Sequence, residues 1–142
     1  IGVAAGRISG ILILDLDTQE AIDQARQLGI PETWGFSTGK GEQYLFAYPQ
    51  LQETFYIQNN VQLMPGMDIR SDGGYSVWPD STHYSGKTYA WINPPATTEL
   101  APVPQWLMDK VIIKNRTASS ASAVEEEAPI QTEGGRNDYL FK

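Results

Sequence analysis

Apolar and polar positions follow one another in blocks whose periods predict an alternation of short strands with few helices. Ile11, Leu12, Ile13 and Leu14 form a continuous apolar run of the kind buried on both faces of a sheet, so residues 11–16 predict a strand. Thr18 to Leu28 (TQEAIDQARQL) has helical spacing, with Thr18 as N-cap and Ala21, Ile22, Ala25 and Leu28 facing inward; Gly29 closes it and Pro31 prevents continuation. WGFSTGKGEQYLFAYP reads as a glycine-bearing hairpin between Trp34–Phe36 and Tyr44–Tyr48. After a polar loop, VQLMPGMDIRSDGGYSVWPDSTHYSGKTYAWI supplies several short strands separated by Gly, Pro and Asp turns. PVPQWLMDKVII, residues 102–113, reads as a closing helix with Trp106, Leu107 and Val111 on its apolar face. The pattern predicts an α+β fold with more sheet than helix.

Beyond residue 114 the periodicity stops. NRTASSASAVEEEAPIQT is small, polar and acidic and reads as a linker over 115–132, whereas EGGRNDYLFK at 133–142 regains apolar character over about one helical turn. Residues 1–114 are therefore expected to form the one main domain that 142 residues with 41% hydrophobic content can build. The opening at Ile1, inside a strand-like stretch, reads as a piece of a longer polypeptide.

Composition narrows the chemistry. With no cysteine and only His83, thiolate or multi-histidine metal sites are excluded, and an intrinsic metal is expected to be a hard cation on carboxylates, Mg2+ or Mn2+. The absence of cysteine is compatible with the cytoplasm, where the chain is expected, and no run approaches the ~18 apolar residues of a membrane span. A net charge of -7 argues against coating duplex DNA through a broad basic surface, although several acids fall in the tail and metal-binding aspartates would be neutralised when occupied.

Four stretches carry candidate chemistry. On a strand, Asp15 and Asp17 project from one face with α-carbons about 6–7 Å apart, and two bare carboxylates at ~6 Å repel by about 3 kcal/mol at a dielectric near 20. A divalent cation between them would turn that penalty into binding; alternatively the strand ends at Leu14 and the aspartates serve the start of the following helix. Ser37-Thr38-Gly39-Lys40-Gly41-Glu42-Gln43 combines glycines, hydroxyls and a lysine suited to phosphate but lacks P-loop spacing, and a plain hairpin turn remains the alternative. In Met67-Asp68-Ile69-Arg70, Asp68 and Arg70 share one strand face and Met67 and Ile69 the other, while Asp72 reads as a structural turn residue. Ser81, His83 and Lys87 lie near a Ser-Gly turn that specifies no catalytic triad.

Taken in order, IGVAAGRISGILILDLD, STGKGEQYLF, MPGMDIRSDGGYSVWPDSTHYSGKTYAW and PVPQWL resemble the N-terminal domain of the bifunctional DNA primase/polymerases, a branch of the archaeo-eukaryotic primase superfamily found in plasmids, phages and other mobile elements. The resemblance implies an RRM-like, mostly antiparallel sheet with three motifs: D-x-D or D-x-E, a small-residue loop followed by K-G-x-H or a variant, and an aspartate after an apolar residue. By position it implies that Asp15, Asp17 and Asp68 hold two divalent ions and that Thr38, Lys40 and Gly41 grip nucleotide phosphates. Gln43 stands where the family usually has histidine; it can hydrogen-bond a phosphate but carries no positive charge. Arg70 would sit at the edge of the cleft, with Ser81 and His83 approaching it. The implied partners are nucleoside triphosphates, a single-stranded DNA template and primer, and a helicase domain in the same full-length chain, with EGGRNDYLF resembling the opening of a helical domain that commonly follows. The implied reaction is template-directed nucleotidyl transfer. Two other classes compete with it: a nucleic-acid or nucleotide-binding module without catalysis, favoured by Gln43 and the acidic balance, and a two-metal nuclease, disfavoured by the lack of histidines. Tyr75 and Trp78 would either stack on a base or fill the core.

Overall fold

The computed structural model describes residues 2–58, 61–79 and 88–114. Ser81, His83, Lys87 and everything expected of residues 115–142 lie outside these. The described chain runs β1 (Gly2–Ala4), β2 (Ile11–Leu16), α1 (Gln19–Leu28), β3 (Gly35–Ser37), β4 (Glu42–Ala47), β5 (Phe55–Ile57), β6 (Val61–Met64), β7 (Met67–Arg70), β8 (Tyr75–Val77), β9 (Ala90–Asn93), β10 (Ala101–Pro102), α2 (Gln105–Val111) and β11 (Ile112–Lys114). It is the expected α+β architecture, mostly antiparallel sheet with two helices among the described residues.

The main sheet has the order β6-β7-β2-β4-β3-β9. Beside β4, β3 covers residues 42–44, and β10 runs parallel along Phe46 and Ala47. Strand β2 is central because its apolar residues can be buried on both faces, and all six of its residues are buried. Leu12, Leu14 and Leu16 face α1, meeting Ala21, Ile22 and Ala25 together with Phe46, Met67, Ile69, Leu107 and Val111. Ile11 and Ile13 face the other way into a smaller core with Phe36 and Leu45, edged by Trp34, Trp78 and Trp91. Two short pairs complete the fold, β1 with β8 and β11 with β5.

The boundary of α1 follows from its cap: Thr18 accepts a hydrogen bond from the Ala21 N–H at 3.0 Å. Its inward stripe stops at Ala25. Leu28, expected inside, is 39% exposed, because that end of the core is closed by Ile30 and by Trp106, whose indole N–H donates to the Gly29 carbonyl. The closing helix is shorter than expected. It ends at Val111, and the β-branched Ile112 and Ile113 pair instead with Ile57 and Tyr56 of β5. Within α2 the buried face is Leu107, Met108 and Val111, with Trp106 at its margin.

Candidate metal centre

Two strand registers assemble the site. Asp15 of β2 lies directly opposite Asp68 of β7 on one side and Gln43 of β4 on the other, so the three side chains share one face of the sheet. The strand therefore continues past Leu14, and the helix cap is Thr18 rather than either aspartate. Asp17 follows the strand end, held there by its N–H donating to the Gly66 carbonyl at 2.7 Å. Gly66 sits in the β6–β7 turn with φ of 83°, packed against the Thr18 side chain, where a β-carbon would collide. Asp15, Asp17 and Asp68 each bring one oxygen into a group whose members all lie within 4.8 Å of one another.

The trio is graded in depth. Asp15 is only 3% exposed, whereas Asp17 and Asp68 are partly open to solvent. Carboxylates facing each other across a ladder repel, and burial strengthens the repulsion. Arg70, on the same face of β7, offsets part of it through an ion pair with Asp15 at 2.7 Å, while its other terminal nitrogen donates to the Tyr75 carbonyl. The offset is incomplete. Burial first, and the Asp17 charge second, push the Asp15 carboxyl up to about 6 from 3.8 against the pull of Arg70. Asp68 is also raised, by burial and then by Asp17, with Arg70 and Lys40 opposing. Such an oxygen-only, charge-rich group is what a hard divalent cation satisfies.

The T-G-K-G segment is a closed turn laid against this centre. Thr38 Oγ1 accepts from the N–H groups of Gly41 at 2.9 Å and Lys40 at 3.3 Å, and the Thr38 N–H donates to the Gly41 carbonyl. Gly41 is required for proximity rather than for a left-handed backbone: a β-carbon there would overlap the Leu16 carbonyl and crowd the Asp17 α-carbon. The turn thereby hangs Lys40, 64% exposed, with Nζ 4.0 Å from an Asp17 oxygen.

Gln43 is turned inward. Its Nε2 donates to Asp15 Oδ1 at 3.3 Å, and its Oε1 accepts from the Ser76 hydroxyl at 2.5 Å. Ser76 has no motif to mark it in the sequence; its sole signal is a small hydroxyl residue alternating between Tyr75 and Val77 on a strand. The two aromatic candidates part ways. Trp78 fills the smaller core, edge-on to Trp34 and Trp91, whereas Tyr75 is 61% exposed and borders an open hollow of about 330 Å³ lined also by Asp68, Arg70, Gly73 and Gly74. Asp72 has the structural part expected of it, receiving both the backbone N–H and the guanidinium of Arg7.

No curated protein and no solved structure matches the chain significantly. One protein family does, described as bifunctional DNA primase/polymerase, N-terminal, over residues 1–106 of the 142. That span contains every strand contributing to the acidic group, its Lys40 turn and Ser76. The chain accordingly belongs to the bifunctional DNA primase/polymerase N-terminal family.

Proposed function

We propose that this domain carries out template-directed nucleotidyl transfer as the primase/polymerase part of a replication protein of a plasmid, phage or other mobile element. The observation that carries the reading is the convergence of Asp15, Asp17 and Asp68 on one sheet face in a chain of this family. These carboxylates would hold two divalent ions, Mg2+ or Mn2+, with water and triphosphate oxygens completing the shells. Bound there, such ions lower the pKa of a primer 3′-hydroxyl and stabilise charge on departing pyrophosphate.

The remaining roles belong to the chain's own side chains. Lys40, projecting at the open side of the acidic group, gives the triphosphate a positive contact that the aspartates deny it. Thr38 and Gly41 keep the lysine there through the closed turn and its seat on β2. Arg70 limits the negative charge at Asp15. Ser81 and His83 are assigned by the family resemblance to the same cleft, and a template and primer strand would lie over it.

Primer extension with Mn2+ tests the reading. Asp68→Asn, which removes a partly exposed ligand from an intact strand, is expected to lower incorporation by about 10²–10³ or more while the protein melts no earlier than wild type. Equal activity in the variant sinks the assignment. A second reading, a nucleotide-binding module without catalysis, is favoured by Gln43, whose uncharged amide is committed to Asp15. Robust incorporation by the isolated wild-type chain eliminates it.

A further inference from the structure

We propose that Gln43 is a positioning residue: locked by Ser76, it aims the Asp15 carboxylate at the cation site and is not a ligand of the nucleotide. The inference rests on the polymerase reading and specifies how one of its metal ligands is held.

Polarity determines which way the amide points. An ionised carboxylate only accepts hydrogen bonds, so Gln43 must offer Nε2 to Asp15, leaving Oε1 in need of a donor. The Ser76 hydroxyl supplies it. Ser76 is itself buried on β8, whose partner is β1, so the bond chain ties the small strand pair to the centre of the main sheet. Arg70 takes the other Asp15 oxygen. Each oxygen of the carboxylate is thus held by a different neighbour, which restricts its rotation, while one of them stays within 4.8 Å of an oxygen of Asp17 and of Asp68.

Accessibility makes the same distinction. Gln43 is 7% exposed, whereas Lys40, the charged member of the same segment, is 64% exposed. Turning Gln43 outward to a phosphate would break both of its buried bonds and strand the buried Ser76 hydroxyl, a loss that one amide–phosphate hydrogen bond offsets only in part. Residues holding a metal ligand by a hydrogen bond in this way affect affinity for the metal first.

The test uses the whole chain and Mn2+ as probe, titrated without nucleotide by electron paramagnetic resonance, beside kcat and KM for a deoxynucleoside triphosphate. Gln43→Leu and Ser76→Ala are each expected to weaken Mn2+ binding about 10–100-fold and to lower kcat, with KM for the nucleotide unchanged. The double variant is expected to be no worse than Gln43→Leu alone, since the two residues act as a unit. Ser76→Ala deletes one oxygen and leaves Gln43 in place, which keeps the test open if Gln43→Leu does not fold. A raised KM with unchanged Mn2+ affinity in Gln43→Leu overturns the inference, as does wild-type Mn2+ affinity in Ser76→Ala. Wild-type protein that neither binds Mn2+ nor incorporates nucleotide overturns the polymerase reading, and this inference with it.

Discussion

Asp15 shows how one side chain can be unfavourable for folding and yet lie at the centre of an acidic group. In the folded chain it keeps its proton up to about pH 6, while unfolded it releases it near 3.8. The native state therefore binds more protons between these values, and the resulting stabilisation is complete below about pH 3.8 and lost as pH rises through 6. The difference corresponds to about 3 kcal/mol, a net figure that already includes the opposing pull of Arg70. Asp15→Asn is expected to stabilise the metal-free protein by about 1–3 kcal/mol at pH 7.5. The gain should shrink towards zero near pH 4. Urea denaturation in the presence of a chelator at the two pH values measures it, and a destabilised variant at pH 7.5 would mean that the carboxylate is structural. The neutral side chain is tolerated because Gln43 can reverse its amide while the Ser76 hydroxyl turns from donor to acceptor.

At the scale of elements, the site depends on how closely two segments approach. The turn at 38–41 reaches the end of β2 only because Gly41 has no side chain, and this approach sets Lys40 over Asp17. Gly41→Ala should cost about 1–3 kcal/mol, the usual penalty for forcing volume into a packed position. It should also raise KM for the nucleotide, since the lysine moves with its turn. Thermal denaturation and steady-state kinetics check the two parts separately. Unchanged stability would show that the turn can move away from Leu16 freely.

At the scale of the molecule, the family match and the folding unit have different ends. The match stops at residue 106, yet Leu107 and Val111 are fully buried in the larger core and β11 covers β5 just beyond them. Losing one such side chain from a core costs about 2–5 kcal/mol, against a total stability of about 5–15 kcal/mol for a domain. A chain cut after Trp106 is expected to be unfolded, and one cut after Lys114 to melt cooperatively. Circular dichroism melts of the two fragments decide this; a folded shorter fragment would show that α2 merely decorates the core.

Period and punctuation in the sequence were enough for β2, for α1 with its Thr18 cap, and for placing Asp68 and Arg70 on one face of β7, because each depends on neighbours within a few residues. The grouping of Asp68 with Asp15 and Asp17 came instead from likeness to a family whose motifs are spaced along the chain. Local pattern could not reveal that α2 stops at Val111, that Arg70 spends its charge on Asp15, or that Gln43 points inward to Ser76. Those outcomes turn on strand register and on contacts between residues 33 or 55 positions apart, where burial and hydrogen-bond polarity, rather than propensity, choose the partner.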